Sequence, residues 1–447
     1  MSFWLVRRRS NQMHSQADAA KNLFSLLKNR AFLPLFLTQF FGAFNDNAFK
    51  LAMLTMVSYY LNVSAAQSER YQAIASALFI LPFFLFSATA GQMADSFDKA
   101  RMVRVIKVFE VVLMGIGGLS IYFGNGELML ATLTGMGIHS TFFGPIKYAI
   151  LPEHLPKPQL LGATALIEAS TFAAILLGTT LGTLSISGTK SGAVPAILLT
   201  GIAAIAGLTA SWFIPSAPPS AHNLTIDWHV FRATHRMIRQ ALRHKGITIV
   251  ICAISWFWLV GTIVLTKLPD YTHHTLHADS AVFAIFLALF SIGIAVGSLA
   301  INRLLAGKIT LRYVPHSMLL LSLFAGDLYW ASPHGGSDAP LVLAREFFSN
   351  VMHIRVAFDL FMVAFSSGLF VVPMYAYLQV ASDNAARART IAANNLFNSF
   401  FMVVGSLFVM LLLYLNVVIP AVFLILALIN SGVAVLLWVI LPCSHEP

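Results

Sequence analysis

Long apolar segments alternate with short polar segments along almost the whole chain. A membrane-spanning helix needs roughly 20 mostly apolar residues, and this pattern predicts twelve such helices. They lie at residues 32–60, 71–91, 102–123, 127–151, 160–186 and 193–214, and then at 247–268, 280–304, 314–330, 356–379, 390–415 and 419–441. The break at residues 215–246 is too polar to insert into a bilayer, and it divides the segments into six and six.

Composition supports a chain that lies mostly in lipid. Hydrophobic residues make up 58% of the chain and charged residues 10%, whereas soluble domains are roughly 45–50% apolar and about 25% charged. A soluble surface needs more charge than this. The formal net charge of +10 would favour nucleic-acid binding in a soluble protein. Here the distribution of Lys and Arg gives it a simpler origin, and no nucleic-acid partner is expected.

The Lys and Arg residues predict the orientation of the spans. If the N-terminus is cytoplasmic, 21 of the 28 Lys and Arg residues fall in cytoplasmic segments, five fall in external segments, and Lys50 and Lys107 lie within spans. Cytoplasmic loops of membrane proteins carry such an excess of positive charge. We therefore expect both termini in the cytoplasm. The basic segment 227–245 is expected to be either a solvated linker or an amphipathic helix on the inner leaflet.

Two pairs of similar motifs indicate an internal duplication. Lys147-Tyr-Ala-Ile-Leu151 ends the fourth span and Met374-Tyr-Ala-Tyr-Leu378 ends the tenth, with tyrosines 227 residues apart. Residues 163–169 and 393–399 open the fifth and eleventh spans at an offset of 230. The repeat favours the parallel two-half design of major facilitator proteins, with substrate bound between the halves.

These observations define the expected organisation. The fold class is an all-α polytopic membrane protein of twelve spans in two six-helix halves. The predicted parts are a cytoplasmic N-terminal segment (1–31), the first half (32–214), a cytoplasmic linker (215–246), the second half (247–441) and a C-terminal tail (442–447).

Polar residues in the middle of the first span are the first candidates for a binding site. An ionisable group at bilayer depth costs at least ~2.5–3.5 kcal/mol and normally faces a cavity or a partner. Asn45, Asp46 and Asn47 cover most of the helix circumference, and Lys50 follows one turn later. We expect them to line a cavity. The alternative is an Asp46–Lys50 ion pair at i,i+4 that only holds helices together.

Further candidates lie in the fourth, fifth and eleventh spans. Lys147 can hold an anionic group such as a phosphate, or it is an ordinary lysine at the membrane surface. Glu168 is expected either to carry a proton or meet Lys147 or Lys107, or to be a hydrogen-bonded structural residue. Asn394, Asn395 and Asn398 make one side of the eleventh span polar, which suits a lipid head group or contacts between helices.

Other titratable residues are expected to be structural. Lys107 and Glu110 are three residues apart in the third span and are expected to form a structural pair; the alternative is that Lys107, near the cytoplasmic end, extends to the membrane surface. For His139, packing or hydrogen bonding is the expectation. A metal site is the less favoured interpretation of an external cluster formed by His273, His274 and His277. We expect no metal or cofactor, and no nucleophile–base set indicates an enzyme.

The segment Gly91-Gln-Met-Ala-Asp95-Ser-Phe-Asp-Lys99-Ala-Arg101 resembles the major facilitator loop between spans two and three. This resemblance implies that Gly91, Asp95, Lys99 and Arg101 form a conformational latch between helix ends. The corresponding segment after the eighth span lacks the acidic residue, so one strong latch is expected.

Three more segments resemble the bacterial lysophospholipid transporters and the transporter half of fused transporter–acyltransferase–ligase proteins. They span residues 39–50, 144–151 and 165–178. The resemblance is strong over residues 32–185. It implies movement of lysophospholipid from the outer to the inner leaflet of the bacterial inner membrane, with Asp46, Lys147 and Glu168 near the head group. It further implies that re-acylation is the task of a separate acyltransferase, and a monomer is expected.

Two other functions fit the same sequence features. A proton-coupled exporter or importer of a drug, siderophore or other small metabolite shares the expected fold. A membrane receptor or scaffold that transports nothing is the second alternative.

Overall fold

A computed structural model of the protein describes residues 23–61, 63–221, 224–333 and 341–441. Throughout these residues the chain is helical, apart from turns, loops and one isolated bridge between Ala278 and Val342. Arg7, Arg8, Arg9 and Lys21, which contribute to the predicted orientation, lie outside the described residues. The predicted tail at 442–447 and most of the predicted N-terminal segment also lie outside them.

Twelve helices of at least 18 residues occupy the positions of the twelve predicted spans within the described part of the chain. In the first half they are α1 (Leu33–Thr55, followed by a π-helical turn at Met56–Tyr60), α2 (Ala65–Ser96), α3 (Lys99–Phe123), α4 (Gly126–Ala149), α5 (Lys157–Leu184) and α6 (Val194–Trp212). In the second half they are α7 (Lys245–Asp270), α8 (Ser280–Leu304), α9 (Val314–Ala331), α10 (Val351–Ala381), α11 (Arg387–Tyr414) and α12 (Ile419–Ile440).

Nine of these helices, counted over the described residues, are long and apolar enough to cross a membrane. The other three are α1, α4 and α9, whose polar residues lower their mean hydropathy. In α1 these are the Asn-Asp-Asn segment and Lys50. Polar residues inside an otherwise apolar bundle are expected where helices face a cavity or each other. The predicted all-α, multi-pass fold is confirmed.

The two halves repeat the same packing pattern. In the first half α1 packs on α5, α2 on α4, and α3 on α4 and α6. In the second half the corresponding pairs are α7 with α11, α8 with α10, and α9 with α10 and α12. Helices α5 and α11 both contain 28 residues, and their first and last residues are each 230 positions apart. This correspondence supports the duplication that the motifs indicated.

The halves are joined at one end of the bundle. We call this the linker end; α2, α4 and α6 finish there, and α3, α5 and α7 begin. Helices α2 and α4 pack on α11, and α5 packs on α8 and α10. Residues of both halves share one buried core that includes Leu161, Ile167 and Val371. Towards the opposite, far end, residues of the first half such as Met53 and Leu133 form a separate core. The described structure is therefore closed at the linker end.

The linker between the halves contains a helix, Val230–Ala241, which packs against α2 and α11. Its buried side consists of Ala233, Met237 and Ala241, whereas Phe231 is exposed. The amphipathic helix that the sequence allowed is therefore present. Contact of this helix with a membrane surface stays a prediction.

Candidate functional site

Helix α1 points its polar side chains in different directions. Asp46 is half-buried and accepts a hydrogen bond of 2.5 Å from Ser140 Oγ of α4. Lys50 Nζ lies 6.0 Å from the centre of the Phe79 ring of α2. The possible Asp46–Lys50 ion pair is not formed within the described structure, because the two side chains face different helices. Asn47 donates to the carbonyl of Ala43 in its own helix, at 2.8 Å.

Asn45 belongs to a buried charge cluster inside the first half. Its Nδ2 donates to Glu110 Oε1 at 2.9 Å, while Lys107 Nζ lies 2.6 Å and His139 Nε2 lies 3.1 Å from Glu110 Oε2. The expected pairing of Lys107 with Glu110 is confirmed. All four side chains are buried, and pairing with hydrogen bonds is what makes such burial tolerable. Asn45 thus faces α3, and sequence spacing gave no sign that it and His139 join this cluster.

Two tyrosines form a bridge between the halves. Tyr148 of α4 donates to Glu168 of α5, and its ring stacks on Tyr375 of α10 with centroids 4.6 Å apart and planes 10° apart. Tyr375 Oη in turn accepts from Trp258 Nε1 at 3.0 Å. These are the tyrosines of the repeated motif. The sequence marked them only as a sign of duplication; the structure shows that the two equivalent positions meet.

Asparagines of α11 extend this bridge on the side of the second half. The buried Asn398, with its amide oriented to satisfy its neighbours, accepts from Asn394 Nδ2 at 3.1 Å and donates to Ser255 Oγ at 2.9 Å. Asn395 is half-buried and lies against α4. A Cβ atom on Gly144 would come within 2.7 Å of Asn395 Nδ2. Glycine at this position therefore allows α4 and α11 to approach.

Lys147 lies beside the tyrosine bridge. Its Nζ is 4.7 Å from the centre of the Tyr148 ring, and it interacts electrostatically with Glu168 and Asp46. It is half-buried and has no carboxylate within ion-pair distance among the described residues. The predicted residues Asp46, Lys147 and Glu168 are therefore neighbours, whereas Asn45 is directed into the buried charge cluster.

The expected latch region contains one contact between the halves. The Asp95 carboxylate at the end of α2 is fully buried and accepts from Ala388 N at 3.0 Å and from Arg389 Nε at 2.9 Å. A Cβ atom on Gly91, one turn earlier, would lie 2.8 Å from both Ala392 Cβ and Arg389 Cα. Arg389 had been counted only as a charge that sets topology, because its partner lies 294 residues away.

The other two predicted latch residues lie elsewhere. Lys99 forms an ion pair of 2.7 Å with Glu153 and donates to Ser220 Oγ at 2.7 Å, so it ties the beginning of α3 to the segment between α4 and α5 and to the linker, and not to the second half. Arg101 is exposed and forms no ion pair in the described parts of the chain. A conformational role of these residues stays a prediction.

The external histidines lie on a π-helical turn at Tyr271–Thr275 and just after it. His273 Nδ1 is 3.3 Å from His274 Nδ1. Over the described ranges, no group of three or more His, Cys, Asp or Glu side chains is placed to hold a metal ion.

Comparison with known proteins identifies the family. Residues 35–332, more than half of the chain, match the family model of the Major Facilitator Superfamily. The chain belongs to the major facilitator superfamily. Members of this family are transporters that work by alternating access between two halves. The chain is therefore a multi-pass membrane transporter and not an enzyme.

Similar proteins of known name or structure agree with this assignment. The chain is 27% identical over 382 residues to the lysophospholipid transporter LplT of Serratia proteamaculans, covering 83% of this chain and 86% of the relative. It is 29% identical over 389 residues to LplT of Yersinia enterocolitica, covering 86% of each. The similarity thus extends well beyond residues 32–185.

Solved structures share the fold at low sequence identity. The human organic anion transporter MFSD10 superimposes with a TM-score of 0.70 at 14% identity, covering 92% of this chain and 99% of that one. The Escherichia coli fucose:proton symporter FucP gives a TM-score of 0.70 at 11% identity, covering 93% and 98%.

Proposed function

We propose that this protein is a lysophospholipid transporter of the bacterial inner membrane that moves its substrate from the outer to the inner leaflet. The similarity to lysophospholipid transporters over most of both chains is the observation that carries the proposal. In this proposal the linker end and both termini are cytoplasmic, in agreement with the distribution of Lys and Arg.

Charged groups beside the tyrosine bridge suit a glycerophospho head group. Lys147 has no ion-pair partner among the described residues, and an ammonium group binds phosphate as a point charge. Asp46 Oδ1 is buried without a hydrogen-bond partner in the described structure, whereas Oδ2 accepts from Ser140. A buried unpaired acceptor favours a ligand that brings a donor, such as the hydroxyl or amine of the head group.

The closed linker end is consistent with loading from the other side. Asp95 joins α2 to α11, and the tyrosine bridge joins α4 to α10. In this proposal the substrate enters from the far end and its head group comes to Asp46 and to Lys147, which lies beside the tyrosine bridge. In the proposed cycle the single acyl chain stays against apolar helix surface or lipid, and the halves then rock to open the linker end.

A leaflet-resolved assay in proteoliposomes tests this proposal. We expect Asp46→Asn and Lys147→Gln each to lower the transport rate of a fluorescent lysophospholipid by about tenfold or more, because hydrogen bonds to charged groups contribute about 1.5–3 kcal/mol. Lys267→Gln is the matched control, since Lys267 pairs with Asp270 at the far end of α7. Its transport should equal that of the native protein.

The same assay distinguishes the alternatives. Native transport rates in both Asp46→Asn and Lys147→Gln would remove these residues from the mechanism. Uptake of a soluble solute that requires a proton gradient, without lysophospholipid movement, would replace the proposal by proton-coupled transport. Absence of any transport by native protein, with cell function retained after both charges are neutralised, would favour a receptor. A separate acyltransferase is proposed to consume the product, and the working unit is proposed to be a monomer.

A further inference from the structure

A groove on the outer face of the first half lies apart from the interface between the halves. It is a cavity of about 830 Å³ at the linker end, between the end of α2, the beginning of α3 and the middle of α4. Its walls are mostly apolar and include Phe97, Val105, Phe109 and Phe142. We call this cavity the α3 groove. Its volume lies within the range of about 300–1,000 Å³ that is usual for ligand pockets.

The rim of the α3 groove faces lipid. Val105 is 70% exposed and Phe109 is 38% exposed, and both lie on a helix that is long and apolar enough to span a membrane. Acyl chains are the solvent that covers such side chains in a bilayer. From Arg101 to Phe109 the groove follows α3 for about 12 Å, at about 1.5 Å per residue. This depth is close to that of one leaflet, because the hydrocarbon core is about 30 Å thick.

The linker end of the groove is polar, and its cation, Arg101, has no ion-pair partner among the described residues. Among the basic residues of α3, Lys99 and Lys107 form ion pairs, and Arg104 donates to the carbonyl of Ile214 at 3.1 Å. Arg101 forms no ion pair within the described ranges, and it lines the groove. Ser96, also in the lining, has a buried hydroxyl without a hydrogen-bond partner among the described residues.

One carboxylate, Asp98, also lines this polar end, and protein donors hold it. It accepts from Ser216 Oγ at 2.5 Å, from Arg101 N at 2.9 Å and from Ala217 N at 3.1 Å. Burial alone would raise the pKa of Asp98, but these hydrogen bonds lower it below its usual value. The carboxylate is thus engaged by the ends of α3 and the linker, which leaves the Arg101 guanidinium available to an external anion.

We propose that the α3 groove binds a diacyl phospholipid of the leaflet at the linker end, with its phosphate at Arg101 and Ser96 and one acyl chain along Val105 and Phe109. Arginine matches the oxygen geometry of a phosphate group, and the apolar walls continue from there to leaflet depth. The site is separate from Asp46 and Lys147 and does not depend on the identity of the cargo. The lipid lies on the turn of α2 that follows Asp95, next to the latch.

Photocrosslinking in nanodiscs tests this site on the full-length protein. The probe is a phosphatidylglycerol with a diazirine in one acyl chain, and crosslinked peptides are mapped by mass spectrometry. We expect labelling of residues 101–109 of α3. Val105→Trp fills the groove and should lower this labelling at least fivefold. Leu119→Trp is the matched control, because Leu119 is 57% exposed on the same helix but outside the groove; it should leave the labelling unchanged.

A second variant keeps the test independent of packing. Arg101→Gln removes the guanidinium charge from an exposed position without filling the groove, and it should lower labelling by about tenfold, the effect of losing about 1.4 kcal/mol. Lys157→Gln, which alters an exposed lysine outside the groove, should not. Equal labelling in Val105→Trp and native protein would overturn the site. Equal labelling by a diacylglycerol probe would overturn the role of phosphate, and labelling by a monoacyl probe alone would overturn the diacyl occupant.

Discussion

Replacing Asp95 should open the linker end. The Asp95→Ala variant removes the acceptor for Ala388 N, Arg389 N and Arg389 Nε, which lie 3.0, 3.3 and 2.9 Å from its carboxylate oxygens. Two of these donors are backbone amides in the first turn of α11, which have no partner within their own helix. Asp95 therefore caps the beginning of a helix in the other half and pairs with Arg389 of that helix at the same time.

The size of the effect follows from the burial of this contact. Breaking a buried ion pair costs about 3–5 kcal/mol, and Asp95 is fully buried while Arg389 is 17% exposed. Because water hydrates these groups once the halves separate, the loss applies mainly to the closed state. If the closed state loses about 3 kcal/mol relative to the open state, the ratio of closed to open molecules should fall about 100-fold, since 1.4 kcal/mol corresponds to a factor of ten. Asp95→Asn keeps an acceptor, and its effect should be about tenfold.

Distance measurements between spin labels test this expectation. The labels are placed on cysteines at the exposed positions Lys157 and Lys308, one in each half at the linker end, after both native cysteines are changed to serine. In Asp95→Ala the distance distribution should shift to longer values, and a second pair at Tyr59 and Val351, at the far end, should shift to shorter ones. Distributions identical to those of the native protein at both ends would refute the reasoning.

Two further changes have defined outcomes. Gly91→Ala places a Cβ atom 2.8 Å from backbone and side-chain atoms of α11. It should therefore lengthen the distance between spin labels at positions 157 and 308. An unchanged distance would show that α2 and α11 are not in close contact. Glu110→Ala leaves Lys107 buried without its partner and should lower the free energy of unfolding by about 3–5 kcal/mol in a thermal or denaturant assay. The double variant Lys107→Met with Glu110→Leu should be more stable than Glu110→Ala. A double variant with a free energy of unfolding below that of Glu110→Ala would contradict this account.

Much of the fold can be predicted from the order of apolar and polar residues. Length and hydropathy predict each helix because a spanning segment must satisfy its own backbone hydrogen bonds, whatever its neighbours are. The repeated motifs predict which helices correspond, and α5 and α11 confirm the offset of 230. The pairing of Lys107 with Glu110 was also predictable, since residues three apart share a helix face.

Contacts between distant helices were decided only by the tertiary structure. Spacing along α1 left open which helix Asn45 and Asp46 face, and the structure directs Asn45 to Glu110 and Asp46 to Ser140. The motif pair located Tyr148 and Tyr375 but did not predict that their rings stack.

The sequence by itself determined the twelve helices, their repeat and the chemical types of the polar residues at membrane depth. The tertiary structure decided which of those residues meet. Helical periodicity is a local property of about four residues per turn, whereas the Asp95–Arg389 contact joins positions 294 residues apart. Such a contact depends on how the two halves pack, and no pattern within one helix contains that information.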